Sequence, residues 1–177
     1  MQRFAAVAAT CDSCELIKVA EGAYFELNFK PNVALVSVVR RFVSEFYQRF
    51  LGDPDGTSRV ALATHELLEN AVKYSRDGET TIRIGVDTGE SKTVTIHLSN
   101  RADETHIAAI REILDGVASE PDAVSYYQKL IATKAKRKDS SGLGLARICA
   151  EGEMTVTYTI TDTDRLTLEA STTVGRA

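Results

Sequence analysis

The sequence has little of what three large classes of protein require. It has three cysteines in 177 residues, too few and too unevenly paired for the disulfide framework of a secreted domain. Its formal net charge is −4, whereas a domain that binds nucleic acid non-specifically is strongly basic. No apolar run approaches the roughly 20 residues that a membrane-spanning helix needs. These absences predict a cytoplasmic protein without a nucleic-acid or membrane partner.

The remaining composition is typical of one globular domain. Hydrophobic residues make up 44% of the chain and charged residues 26%, which excludes a disordered or collagen-like chain. A chain of this length buries roughly 70% of its unfolded surface, so its core needs no metal or disulfide. We predict a single domain over residues 16–177, preceded by an Ala-rich segment, residues 1–15, that forms a weakly ordered arm or an edge strand.

Hydrophobic periodicity and turn signals divide the chain into strands and helices. Apolar residues recur every three or four positions in the predicted helices and alternate in most of the predicted strands. The predicted helices are 32–51, 57–74, 104–117, 122–133 and 142–150, the predicted strands are 16–29, 80–87, 92–98, 153–160 and 165–171, and residues 134–141 are predicted as a basic loop. This order predicts an α+β fold, a mixed sheet with helices on one face.

The second predicted helix carries a strip of polar side chains opposite its apolar face. With Glu66 as the zero of a helical wheel, Asn70 lies at about +40° and Lys73 at about −20°. A carboxylate can accept a proton from an attacking hydroxyl or water. An amide oxygen can bind Mg²⁺ beside phosphate oxygens, and an ammonium group attracts phosphate. These groups suit phosphoryl transfer, although such a strip alone is more often the solvent-exposed face of an amphipathic helix.

A glycine pair just before the last predicted helix offers a second polar surface. Glycine lets the backbone approach a phosphate closely, and a helix N-terminus presents unpaired N–H groups to an anion. Four positive charges within residues 134–138 precede it. The segment consists of Ser140, Ser141, Gly142, Leu143, Gly144 and Leu145. Together these features predict an anion site, although a charged loop and one Gly-x-Gly also occur without any ligand.

The two segments together resemble those of the ATPase superfamily that contains DNA gyrase, histidine kinases and the anti-sigma-factor serine kinases (the GHKL superfamily). Residues 66–74, Glu-Leu-Leu-Glu-Asn-Ala-Val-Lys-Tyr, resemble its N-box, and residues 142–145 resemble its second glycine box. The resemblance covers roughly residues 16–171. It implies a two-layer α/β sandwich of the Bergerat type, with a mixed, mostly antiparallel sheet and helices on one face, and it implies ATP and Mg²⁺ as cofactors.

The resemblance also implies roles for single residues. Glu66 polarises the attacking nucleophile, Asn70 binds Mg²⁺, and Lys73 approaches phosphate. The segment from Ser140 to Leu145 borders the triphosphate beneath a mobile lid, residues 131–141.

The sequence departs from the family at the adenine site. The family has an Asp-x-Gly-x-Gly box after its third or fourth strand, in which the aspartate binds the adenine amino group. The matching residues 99–103 read Ser-Asn-Arg-Ala-Asp, with Asn100 in place of the aspartate and no glycine. The Asn100 side-chain oxygen can still accept from the amino group, although a neutral acceptor binds more weakly. Asn100 is therefore the candidate adenine contact.

The resemblance implies a small kinase that acts on another protein. Histidine kinases carry a helical hairpin with a phosphoacceptor histidine, which this sequence lacks, so the stand-alone kinases are the nearest type. They include the anti-sigma-factor serine kinases of bacterial partner-switching pathways and the SiaB-type kinases of biofilm regulation, and the long stretch 104–133 slightly favours the second. The predicted function is an ATP-dependent kinase that phosphorylates a small STAS-like or anti-sigma-antagonist-type protein on serine or threonine.

Two other functions stay open. The altered segment 99–103 favours a degenerate module of the same fold, which binds a protein without turning over nucleotide. A bare ATPase that drives a conformational change is less favoured, because no transducer domain follows. The family often dimerises through its N-terminal region, so a homodimer is open as well.

Overall fold

The computed structural model describes residues 24–30, 32–76, 78–89, 91–137, 142–162 and 164–175. The predicted arm, residues 1–15, and two candidate phosphate-binding residues, Ser140 and Ser141, lie outside these residues. Within them, the elements in chain order are β1 (Tyr24–Phe29), α1 (Val33–Leu51), α2 (Pro54–Tyr74), β2 (Thr80–Thr88), β3 (Lys92–Arg101), α3 (Glu104–Ser119), α4 (Ala123–Arg137), α5 (Leu143–Ala150), β4 (Thr155–Thr161) and β5 (Arg165–Val174).

The five described strands form one sheet in the order β1-β2-β3-β5-β4. Alternate residues of its central strands are buried, as in β3, where Val94, Ile96 and Leu98 are 0–1% exposed and their neighbours are half-buried. One face of the sheet therefore packs against the helices, which confirms the predicted α+β, two-layer sandwich. The prediction of a mixed sheet needs one correction, since every pair among the described strands is antiparallel.

Helix α2 begins three residues earlier than its predicted start at Thr57. The Asp53 carboxylate accepts a hydrogen bond from the Gly56 N–H at 3.0 Å, and Pro54 occupies the first helical turn. Aspartate is a favoured N-cap, and proline at the first helical position sacrifices no hydrogen bond, so residues 54–56, which the sequence analysis leaves between two predicted helices, are the start of α2. The apolar face of α2 buries Leu67, Leu68 and Ala71, which fixes the orientation of its polar strip.

Helix α4 is longer than its predicted span of 122–133. It continues to Arg137, so residues 134–137 are helical where the sequence predicts a loop. Lysine, arginine and alanine are good helix formers, and the positive charges of lysine and arginine suit a helix C-terminus. The first seven residues of the predicted lid, 131–137, therefore belong to α4, and residues 138–141 lie outside the described part of the chain.

No helix among the described residues is both long enough and apolar enough to cross a membrane.

Candidate functional site

A cleft lies among the helices α2, α3, α4 and α5. Its volume is about 360 Å³, within the range of roughly 300–1,000 Å³ that is usual for small-molecule sites. Its walls are largely apolar, with a few polar groups among them. Residues that line it include Asn70, Tyr74, Asp103, Ile113, Tyr126, Lys134, Gly142 and Leu145. The cleft therefore contains the predicted Mg²⁺ ligand and two residues of the glycine box.

Glu66 lies against the first turn of α5. A Cβ atom built on Gly144 would be 2.7 Å from Glu66 Oε2, closer than a real carbon atom comes to an oxygen. Gly144 thus leaves room for the Glu66 carboxylate beside the first turn of α5. The Glu66 side chain is 12% exposed, so the carboxylate is largely shielded from water while it touches the start of the helix.

The other Glu66 oxygen is held by an arginine that the sequence analysis did not select. Arg147 donates from Nη1 to Glu66 Oε1 at 3.0 Å and from Nε to Glu151 Oε2 at 2.7 Å. These hydrogen bonds, led by the one to Glu151, raise the pKa of Arg147 further above its ordinary value. Arg147 follows Gly144 by three residues, so the helical period puts both on the face towards α2, a signal that could have found it.

The N-terminus of α5 can accept an anion. Gly142 has φ 79°, a left-handed conformation that glycine adopts readily, and no side chain caps the helix in the part of the chain described. A Cβ on Gly142 would also lie 2.3 Å from Ile113 Cδ1. The first N–H groups of an α-helix have no partner within the helix, and the helix dipole favours a negatively charged ligand there.

The other two residues of the predicted polar strip, Asn70 and Lys73, differ in their position relative to the cleft. Asn70 lines the cleft, one turn after Glu66. Lys73 does not line it, since its ammonium group donates to Glu69 at 3.2 Å and the side chain is 52% exposed. Glu69 also meets His65 Nε2 at 3.3 Å, so these three residues form a ladder along α2 beside the cleft.

Asn100 is buried at the end of β3. It is 3% exposed and belongs to the set of β3 residues that face the helices. Its Nδ2 donates to the Arg101 carbonyl at 3.0 Å, and Asn100 is not among the residues that line the cleft. The structure thus places the candidate adenine contact on the face of the sheet that packs against the helices but outside the walls of the cleft.

An aromatic pair, which the sequence analysis also missed, forms part of the cleft wall. The rings of Tyr74 and His106 stack with their centroids 4.1 Å apart. Burial lowers the pKa of His106, against the opposing charge of Asp103, which caps α3 by accepting from the His106 N–H at 2.7 Å. The imidazole is therefore mainly neutral at pH 7 and adds a flat, uncharged surface to the cleft.

Comparison with solved structures shows the same fold in another protein. A chain in the crystal structure of the SiaB–SiaC complex from Pseudomonas aeruginosa is similar, with a TM-score of 0.65 and 13% sequence identity. The match covers 84% of this chain and 88% of that one. A comparison with curated proteins gives no match.

The family comparison covers the elements that form the site. The model of the histidine kinase-like ATPase domain matches residues 29–150, which is more than half of the chain. The matched segment includes Glu66, Asn70, Asn100 and both glycines of the glycine box. This chain belongs to the histidine kinase-like ATPase domain family.

Proposed function

We propose that this chain is an ATP-dependent kinase that phosphorylates a small partner protein on serine or threonine in a bacterial partner-switching pathway. The observation that carries the proposal is the contact of Glu66 with Gly144, which joins a carboxylate to the anion-binding end of α5. Asn70 and Gly142 line the adjoining cleft, so an amide oxygen and backbone donors surround the same space. Membership of the ATPase family supports ATP as the ligand.

In this proposal, Glu66 is the proton acceptor. The partner's hydroxyl oxygen forms a bond to the terminal phosphorus of ATP, the bond from that phosphorus to the bridging oxygen breaks, and ADP leaves. The hydroxyl proton passes to the Glu66 carboxylate, as in general base catalysis. Because phosphoryl transfer depends mainly on positioning and charge neutralisation, few other protein groups are required.

The other predicted residues bind and orient the nucleotide. The backbone of Gly142, Leu143, Gly144 and Leu145 donates to the phosphates, with Ser140 and Ser141 adding hydroxyl donors. Asn70 offers the hard oxygen ligand that Mg²⁺ prefers, and the ion, when bound, neutralises phosphate charge. Lys73 has a secondary role, because its ammonium is paired with Glu69. Asn100 is the candidate adenine contact through its oxygen, since its Nδ2 is already used, and the base has to reach beyond the residues that line the cleft to meet it.

The partner in this proposal is a small STAS-like or anti-sigma-antagonist-type protein. The similar chain in the SiaB–SiaC structure belongs to a complex of two proteins, which supports a protein substrate rather than a small molecule. A reaction that consumes Mg·ATP also agrees with a cytoplasmic location. A small protein encoded beside this gene is the first substrate to test.

Calorimetric titration with Mg·ATP tests the proposal. We expect a dissociation constant in the micromolar range, equivalent to about −8 kcal/mol. Asn70→Ala should weaken binding severely, whereas its matched control, Asn28→Ala on the exposed side of β1, should bind as the wild type does. Glu66→Gln should bind Mg·ATP but fail to transfer labelled phosphate to the partner, and Glu169→Gln on β5 serves as its control.

Two observations favour a second candidate function, a module that binds a protein without turning over nucleotide. Residues 99–103 lack the glycines of the family, and Asn100 lies outside the walls of the cleft. Absence of heat with Mg·ATP at high protein concentration, together with binding of the partner, would establish this module and overturn the kinase.

A further inference from the structure

The proton acceptor of the proposed reaction is occupied in this structure. Glu66 Oε1 accepts from Arg147 Nη1 at 3.0 Å, and the second oxygen lies against Gly144. With one oxygen bonded to a guanidinium group and a side chain that is only 12% exposed, Glu66 leaves little room for a substrate hydroxyl to approach it. The proposed kinase therefore needs a means of releasing Glu66 before it accepts a proton.

The position of Arg147 suggests what could release it. Residue 147 lies about 4.5 Å along the axis of α5 from Gly144, in the turn that follows the proposed phosphate-binding backbone. Its side chain is 41% exposed and so retains freedom to move, while Glu66 is more deeply buried at 12%. A phosphate that entered the N-terminus of α5 would thus arrive beside both partners of the ion pair.

The chemistry of arginine favours an exchange in which Arg147 gives up the Glu66 carboxylate and binds a phosphate instead. The planar guanidinium group matches phosphate oxygens as well as it matches a carboxylate, and it can donate two parallel hydrogen bonds to either. Arg147 is the more exposed partner of the pair, so its guanidinium group can change partners while the more deeply buried carboxylate stays in place. A terminal phosphate carries more negative charge than one carboxylate and is the stronger competitor.

Glu151 holds Arg147 in place whether or not Arg147 is paired with Glu66. Arg147 Nε donates to Glu151 at 2.7 Å, one helical turn away on the same element, and this bond does not depend on Glu66. Tyr127 on α4 lies within electrostatic reach of this ion pair. Burial and the charges of Glu151 and Glu66 raise the pKa of Tyr127, while the charge of Arg147 acts in the opposite direction. The guanidinium group is therefore tethered at one end and free to change partners at the other.

We propose that Arg147 senses the terminal phosphate of the nucleotide. It pairs with Glu66 when the site is empty or holds ADP, and it exchanges Glu66 for the terminal phosphate of ATP, which leaves the carboxylate free to accept the hydroxyl proton. This inference rests on the proposed function. Arg147 contacts the transferred phosphate and releases the base, and the exchange couples proton acceptance to the presence of ATP.

Calorimetry with two ligands, Mg·ADP and the magnesium complex of the non-hydrolysable ATP analogue adenylyl imidodiphosphate, tests the exchange. Arg147→Ala should lose roughly tenfold or more in affinity for the analogue, as expected for a charge-assisted hydrogen bond, and little for ADP. Arg147→Lys should recover part of the loss. The control is Arg59→Ala, which removes another Arg–Glu pair, Arg59–Glu153 at 2.7 Å, that involves neither Glu66 nor a residue of α5.

The outcomes separate this inference from the proposed function. Equal losses for both ligands, or none for either, in a folded Arg147→Ala protein would overturn the phosphate sensor and leave the kinase intact. If the wild type binds neither ligand, the proposed function itself fails. If Arg147→Ala does not fold, the same comparison is made with Arg147→Gln, which retains a hydrogen-bonding side chain of similar length, and the same two results decide.

Discussion

Gly144→Ala changes the site by one methyl group and is the most informative single substitution. The new Cβ would lie 2.7 Å from Glu66 Oε2, so the carboxylate must move by about 0.7 Å to reach ordinary van der Waals separation. Because this oxygen ends a flexible side chain, the fold can accommodate the shift. Alanine also favours a helix over glycine by up to about 1 kcal/mol, which offsets the strain.

We therefore expect Gly144→Ala to leave the free energy of unfolding within about 1 kcal/mol of the wild type. Phosphoryl transfer, however, should fall by about a hundredfold, because a misplacement near 1 Å can cost that much in rate. The assay compares urea unfolding, Mg·ATP affinity and the rate of phosphate release with water as acceptor. Gly85→Ala is the matched control, since a Cβ there meets nothing within 4 Å. A folded Gly144→Ala protein with wild-type turnover would refute the assigned role of Glu66.

Three further substitutions test other parts of the account. Gly142→Ala should destabilise the protein by about 1–3 kcal/mol in urea unfolding, because alanine is strained at φ 79° and its Cβ would lie 2.3 Å from Ile113; an unchanged midpoint would contradict this. Asn100→Asp restores the residue of the family, yet it should cost about 1–3 kcal/mol, since a buried carboxylate would face the Arg101 carbonyl instead of donating to it; a more stable variant would show that this bond is unimportant. Burial lowers the pKa of His106 from 6.5, so its contribution to stability is complete above pH 6.5 and is lost as the pH falls below that value. His106→Phe, which keeps the ring stack, should therefore make the fall in unfolding free energy between pH 7 and pH 5 shallower, and identical slopes would oppose this assignment.

The sequence predicts the elements well where hydrophobic periodicity decides them. The apolar stripe of α2 and the alternation of β3 give both their type and the face that each buries. Their ends were less accurate, because capping chemistry competes with turn signals: Asp53 and Pro54 begin α2 within a segment that reads as a turn. The basic residues after Thr133 likewise fit a helix as well as a loop, and α4 continues through them.

The site could be predicted only as far as local spacing reaches. Glu66, Asn70 and the glycine pair form recognisable patterns within short segments. Arg147 was missed because its partner Glu66 lies 81 residues away. Its spacing from Gly144 puts both residues on one face of α5 but does not identify that partner. Lys73 is the opposite case, a residue that local spacing selects but whose contacts differ from the prediction. Its angle on the helical wheel suits the polar strip, yet its ammonium group is paired with Glu69.

The central claim, that α2 and the N-terminus of α5 bind one nucleotide, is tested most directly by nuclear magnetic resonance. The ¹⁵N-labelled protein is titrated with the magnesium complex of adenylyl imidodiphosphate. The account predicts large, concerted shifts of the backbone amides of Gly142, Leu143 and Gly144 together with the side-chain amide of Asn70, while the exposed face of the sheet stays unchanged. Saturable binding that shifts other residues and leaves these four unmoved would contradict it.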